Sequence, residues 1–487
     1  MDWRTLKRII KILLKRPTRK KSRVSILATL RQKIQLPSAI TGMIISGVLI
    51  LLLIPQLTVF GLNSKQFFSL CLVVLIFMYI YNLFLEQFHP KVKRSEPQIF
   101  LIGTLAAIVV LVCEILQAVE FSFYLLPLAF MGMMLTILID LRVALLMLVL
   151  MSLLICYLGK GDLNLFTTLL AGSIVGSFKV IKVRERTSII KAGLYTSLVN
   201  LIMLLGISFL TEQLPYAIWL WAGLNGILAA FLTIGALPFF ENVFGLTSDI
   251  RLMEMADFNQ PLLKRLMHEA PGTYHHSLLV ADLAEESAEA INANSLSVRV
   301  GAYYHDIGKL VRPDYFVENY SASDNKHEKF NPSISSLILI DHIKEGITLA
   351  RKYHLPFQIV NLIAQHHGTG LIKFFYQQAR RGGQAKDNFS PEEVDEQSYR
   401  YPGPKPQTRE AAVVMLADQV EATAKALSAK KLSPGNFKNL VEETVENNYT
   451  DGQLNECEMT FQDIRKIKEC FTRVLCGIYH QRIEYPA

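Results

Sequence analysis

Long stretches between residues 38 and 240 carry almost no ionisable side chains, and this restricts what the chain can fold into. A window of about 19 residues finds eight apolar segments there, near 38–60, 68–87, 99–118, 121–139, 143–159, 165–181, 193–211 and 217–240. Segments of such length and apolarity bury themselves in lipid as helices. The remainder has the charge density of an ordinary soluble protein. A 487-residue chain that is 51% hydrophobic is too large and too apolar for one soluble domain, so a membranous part and a soluble part are expected.

Charge sets the expected orientation. The first 37 residues hold twelve Lys or Arg, from Arg4 to Lys33, against the single acid Asp2, which fixes the N-terminus on the cytoplasmic side. Such an arm is also suited to anionic lipid headgroups. A basic stretch this long before a span this long reads as an anchor rather than a cleaved signal. "HPKVKRSE" (89–96) and "KVRERTSIIK" (182–191) are basic and fall on the inner side, whereas "GLNSKQ", "KGDLN" and "TEQLP" fall outside. Eight crossings return the chain to its starting side, so the second half is expected in the cytoplasm. The expected organisation is a basic arm at 1–37, a first anchor at 38–60, a seven-helix bundle over 68–240, a linker at 241–254 and a soluble helical domain over 255–487. Glu114, Asn200 and Asn225 lie within spans, where interhelical hydrogen bonding is the favoured role, with Glu114 near enough to a span end to snorkel. The six cysteines (71, 113, 156, 457, 470, 476) form no CxxC pair and suggest neither disulfide nor zinc.

Ten of the eleven histidines follow residue 267. No segment around them keeps a period of two, and the apolar positions recur at helical spacing, so the domain is read as all-α. Pro271 and Gly272 are expected to stop one helix and Thr273 to cap the next. Imidazoles and carboxylates converging from separate elements suit divalent transition metals. "HHSLLVAD" supplies His276, "YYHDIGK" supplies His305 and Asp306, "LILIDHIKEG" supplies His342, and "LIAQHHGTG" supplies His366 and His367. Neighbours on a helix point about 100° apart, so both members of the last pair reach one metal most easily at a helix end, and Gly368 is a stop signal there. Asp418 is the one acid in the apolar face "VVMLA" of its helix, a costly place unless it is paired or bound to metal. Lys309, four residues after His305 and expected on the same helical face, is suited to an anion, with phosphate the obvious candidate.

The stretches "GLTSDIRLMEMADFNQPLLKRLMHEAPGTYHHSLLVADLAE", "RVGAYYHDIGKL", "IAQHHGTGLIKFFY" and "RYPGPKPQTREAAVVMLADQVEA" resemble the HD-domain metal-dependent phosphohydrolases. With "MMLTILIDLRVALL" and "LTIGALPFFENVFG" in the membrane half, the resemblance extends over about 65–480 to the seven-transmembrane HD receptors of PgpH type, bacterial cyclic di-AMP phosphodiesterases. The extended GYP signature of cyclic di-GMP enzymes is absent. The resemblance implies metal ligands at His276, His305, Asp306, His342, His366, His367 and Asp418. Asp306 would bridge two divalent ions, manganese or iron, with His276, His305 and Asp418 completing one site and His342, His366 and His367 the other; His275 is not expected to be a ligand. Family members usually carry a large extracellular sensing domain between the first span and the bundle, where this chain has only "GLNSKQ" and its immediate neighbours.

These residues imply a phosphodiesterase of the inner or plasma membrane that opens cyclic di-AMP to pApA with hydroxide activated between two metals, Asp306 and Lys309 acting in catalysis. The alternatives are a nucleotide-binding receptor or scaffold without important turnover, and an HD hydrolase of another phosphate ester. No DNA or RNA polymer is expected as a partner, the bilayer is, and a homodimer is left open. The polar segment 378–406 reads equally as a lid or as a plain connector.

Overall fold

The computed structural model describes residues 63–159, 161–210, 215–320, 326–382, 394–428 and 434–479. The basic arm and the first anchor lie outside the described residues, as does much of "TEQLP" and the middle of 378–406. The described residues are helical and form no sheet; their one β-bridge joins Leu371 and Arg400.

The described residues divide into two compact units, one drawn from residues 63–135, 141–174 and 196–226 and the other from 136–140, 175–195 and 227–479. The membranous helices are α1 (Ser64–Phe88), α2 (Pro90–Arg94, a short connection), α3 (Glu96–Ala118), α4 (Leu128–Leu138), α5 (Leu141–Leu158), α6 (Leu163–Lys179), α7 (Arg186–Ser208) and α8 (Tyr216–Phe244). Among the described residues five of them, α1, α3, α5, α7 and α8, are long and apolar enough to cross a bilayer.

The segment expected as a span over 121–139 is not one continuous helix. Pro127 bars the preceding residue from helical geometry, and Leu126 is extended, so a 3-10 turn (Phe123–Leu125) precedes an α4 of 11 residues. At 1.5 Å per residue α4 is about 16 Å long, roughly half the hydrocarbon core. At the break Asn225 Nδ2 donates to Leu126 O at 2.6 Å, beside the bond from Leu128 N, while Asn200 Nδ2 donates to Ala222 O at 3.1 Å. Both asparagines are thus occupied between segments, as expected. Glu114 is buried rather than snorkelling. Replacing Asn225 with Leu should destabilise this unit by about 1 kcal/mol, the usual size of such bonds in bilayers. Thermal unfolding in detergent reads it; an unchanged melting temperature would contradict it.

The segment 241–254, expected as a linker, holds the end of α8, a turn at 245–248 and most of α9 (Asp249–Met255). Glu241 accepts from Ser248 N at 2.9 Å, and Ser248 Oγ caps α9 by accepting from Arg251 N. Beyond it come α10 (Pro261–Glu269), α11 (Pro271–Ala290), α12 (Ser295–Tyr304), α13 (Pro332–Lys352), α14 (Phe357–Gln365), α15 (Lys373–Gly382), α16 (Arg409–Ser428), α17 (Pro434–Thr450) and α18 (Phe461–Ile478). The core is centred on α11 and α16. Every residue from Ala411 to Ala417 is buried, the pattern of a helix apolar on all sides and enclosed by neighbours. The expected Thr273 cap is also corrected: α11 begins at Pro271, a favourable first position, and Thr273 Oγ1 donates to Glu318 instead.

Candidate metal centre

Most of the expected ligands sit near a helix end, and His342 and Asp418 project inward from the middle of theirs. His276 follows the first turn of α11. His305 and Asp306 occupy the step from α12 into a 3-10 helix at Ile307–Val311, and His342 lies in the middle of α13. His366 and His367 follow the end of α14, where Gly368 adopts φ +52°, a conformation glycine takes without strain. Asp418 projects from α16. All are buried except His367, which is half-buried; His275 is exposed.

The seven residues form two adjoining groups, His276–His305–Asp418 and Asp306–His342–His366–His367. Asp306 turns one oxygen toward each. Its Oδ2 lies 3.1 Å from His305 Nε2 and 3.6 Å from His276 Nε2, and its Oδ1 lies 3.4 Å from His342 Nε2 and 3.7 Å from His366 Nε2. Asp418 also faces both, with Oδ1 2.9 Å from His276 Nε2 and Oδ2 3.4 Å from His367 Nδ1.

The unsatisfied atoms of the donor set show its fit to a cation. His366 Nδ1 bonds Ile363 O at 2.8 Å and His342 Nδ1 bonds Leu339 O. A carbonyl only accepts, so each Nδ1 carries a proton, and in the neutral form of each ring the lone pair is then at Nε2. The two Nε2 atoms nevertheless face each other at 3.2 Å. Two lone pairs at that separation repel unless a cation lies against them. His305 Nε2 and Asp306 Oδ1, both buried, also lack a hydrogen-bond partner. The residues fit divalent metal.

The groups differ in protonation. Burial lowers the His276 and His305 imidazoles, but the carboxylates outweigh it: Asp418 and Glu421 raise His276 to about 9, and Asp306 and Asp418 raise His305 to about 10. Burial opposes ionisation of Asp306 and Asp418 as well, yet the imidazoles, and Lys309 for Asp306, hold both well below the usual carboxylate range. In the other group burial wins. It pushes His342 down to about 4, and with His366 it holds His367 well below the usual histidine value. An ion entering the first group must therefore displace protons, whereas in the second His342 and His367 are held neutral. From pH 9 to pH 7 affinity at one site should fall by up to about tenfold per pH unit for each proton displaced, with the other nearly constant. Calorimetric Mn²⁺ titrations at three pH values read this; two pH-independent sites would contradict it.

Lys309 departs from expectation. The chain leaves α-helical geometry at Asp306, so Lys309 does not continue the face of His305. Its Nζ lies 2.7 Å from both Asp306 Oδ2 and Glu318 Oε1, and despite burial these carboxylates raise its pKa and keep it charged. Glu318 is fixed in turn by Thr273 Oγ1 at 3.0 Å. Sequence reasoning missed Glu318 and also Glu421, which bonds His276 Nδ1 and orients that ring. Glu421 left a signal, a second acid one helical turn beyond Asp418 on an enclosed helix. Glu318 left none. Tyr304 anchors the step before His305, donating to Met255 O at 2.9 Å.

A helical domain that delivers His…His-Asp…His…His-His…Asp to one buried cluster is of the HD class, joined here to a set of apolar helices. Residues 64–248 match the model of the 7TM receptor with intracellular HD hydrolase, and residues 273–423 match the HD domain. The chain thus carries both parts of this architecture, the 7TM membrane region and the HD domain. It is 34% identical over 447 residues to the cyclic-di-AMP phosphodiesterase PgpH of Bacillus subtilis, covering 87% of this chain and 61% of that one. Against PgpH of Listeria monocytogenes the identity is 35% over 432 residues, 86% of this chain and 58% of that one. The chain thus spans about six-tenths of the length of these relatives. The crystal structure of the L. monocytogenes PgpH HD domain aligns over 46% of this chain and 100% of its own, with 43% identity and a TM-score of 0.42.

Proposed function

We propose that this chain is a membrane-bound, metal-dependent phosphodiesterase that hydrolyses cyclic di-AMP to pApA. The carrying observation is the pair of Nε2 lone pairs of His342 and His366 held face to face beside Asp306. The names of the PgpH relatives supply the substrate.

His276, His305, Asp306 and Asp418 would hold one ion, and Asp306, His342, His366 and His367 the other. Two divalent ions supply Lewis-acid activation of water and charge neutralisation at a phosphoryl group. The sulfur-free, imidazole-rich donors favour manganese or iron. Asp306 is the common member, and its loss would disable both groups. Lys309, kept charged by Asp306 and Glu318, offsets negative charge beside Asp306 and would do the same for the phosphoryl oxygens of a bound substrate. Glu318 keeps that ammonium from swinging away. The basic loops 89–96 and 182–191 support a cytoplasmic HD domain with both termini on the inner side of the plasma membrane. The test is turnover of cyclic di-AMP, cyclic di-GMP and mononucleotides side by side by the detergent-purified, Mn²⁺-loaded chain. Cyclic di-AMP should be preferred, and preference for a monoester overturns the assignment.

A further inference from the structure

Four of the five imidazoles in the centre share one mode of support. The ring nitrogen turned away from the cluster is tied down: His276 Nδ1 to Glu421, His305 Nδ1 to Ala302 O at 2.7 Å, His342 Nδ1 to Leu339 O and His366 Nδ1 to Ile363 O at 2.8 Å. Such bonds fix both tautomer and ring plane. His367 is the exception. It presents Nδ1 inward, 3.4 Å from Asp418 Oδ2, and no hydrogen bond to a described residue holds its other nitrogen. Its ring is instead stacked on Tyr401, centroids 4.3 Å apart and planes 23° apart.

The backbone explains the difference. His366 still uses the carbonyl three residues back, but His367 lies past the end of α14, beside the left-handed Gly368. A flat ring is another way to set an imidazole plane, and Tyr401 is itself firmly mounted. Its N–H donates to Gly370 O at 3.0 Å and Ile372 N donates to Tyr399 O at 2.9 Å, pinning both strands of the crossing. Arg400 donates from Nη1 to Thr369 O at 2.9 Å, pairs with Asp451 at 2.8 Å and donates from Nε to Glu396 at 2.8 Å. Tyr401 is therefore fixed relative to the residues that immediately follow His367. It also meets His342 edge-on, with ring centroids 6.2 Å apart.

We propose that Tyr401 is the positioning residue of the second metal group, its ring holding His367 in the ligating plane as hydrogen bonds hold the other four histidines. The assignment rests on the metal-centre reading above. The aromatic face does this work and the hydroxyl is dispensable. Mn²⁺ binding to the detergent-purified full chain, followed by calorimetry and by the electron paramagnetic resonance of free Mn²⁺, tests it without reference to any substrate. Wild type should bind two ions. Tyr401→Ala should weaken one of them about tenfold to a hundredfold, the usual effect of losing a ligand's support, and leave the other within about twofold. Tyr401→Phe should restore both. Two wild-type affinities in Tyr401→Ala, or a Tyr401→Phe variant as impaired as Tyr401→Ala, would overturn the proposal. If Tyr401→Ala does not fold, Tyr401→Leu carries the same comparison, since it fills space without a flat face. Wild-type protein that binds no Mn²⁺ would instead show that the metal reading itself fails, and this proposal with it.

Discussion

Asp306→Ala should lower hydrolysis of cyclic di-AMP by at least about a thousandfold, equivalent to some 4 kcal/mol of transition-state stabilisation. No other side chain in the cluster turns one oxygen toward each of the pairs His276–His305 and His342–His366 at 3.1 to 3.7 Å. Removing the carboxylate also leaves Lys309 with Glu318 as its remaining close acid. Bound Mn²⁺ should fall from two ions per chain to one or none. Turnover with metal occupancy measured on the same preparation checks both halves. A variant that keeps two ions and full activity would show that the bridging geometry is incidental.

Gly308→Ala should damage the same site from outside it. A Cβ on Gly308 would lie 1.8 Å from His342 O and 2.6 Å from Gly346 N, both backbone atoms that cannot rotate aside. The 3-10 helix carrying Asp306 would have to lift away from α13, widening the gap between Asp306 and His342, now 3.4 Å. Overpacking of this kind costs about 3 kcal/mol when backbone must move. The expected result is a melting temperature lowered by several degrees in metal-free protein and weaker ion binding in what remains folded. Wild-type stability and affinity would mean that the close approach is not needed.

Much of the centre was legible because its ligands are unusual where they stand. An acid among "VVMLA" and paired histidines before a glycine conflict with local expectation, and such conflicts mark function. The helical class was legible for the same local reasons, through apolar spacing and helix stops. What failed needed finer or longer-range information. Hydropathy reads 121–139 as one apolar stretch because Leu, Phe and Ala dominate it, and it does not register the break that Pro127 and the extended Leu126 put in its helix. The placement of Lys309 assumed that α12 continued past His305, whereas the chain tightens into a 3-10 helix there. Glu318 and Tyr401 act on partners 45 and 34 positions away in sequence, Thr273 and His367, and no local pattern announces such pairings.

The most direct test of the whole account is product analysis after incubating the purified full chain with Mn²⁺ and cyclic di-AMP, beside its His305→Ala variant. His305 is wholly buried, its Nε2 directed at the cluster and its Nδ1 held by Ala302 O, so its loss removes a donor with little effect on the surface. The account predicts pApA from the wild type and none above background from the variant. Equal release by both proteins, or no release by a wild type that binds two ions, would contradict it.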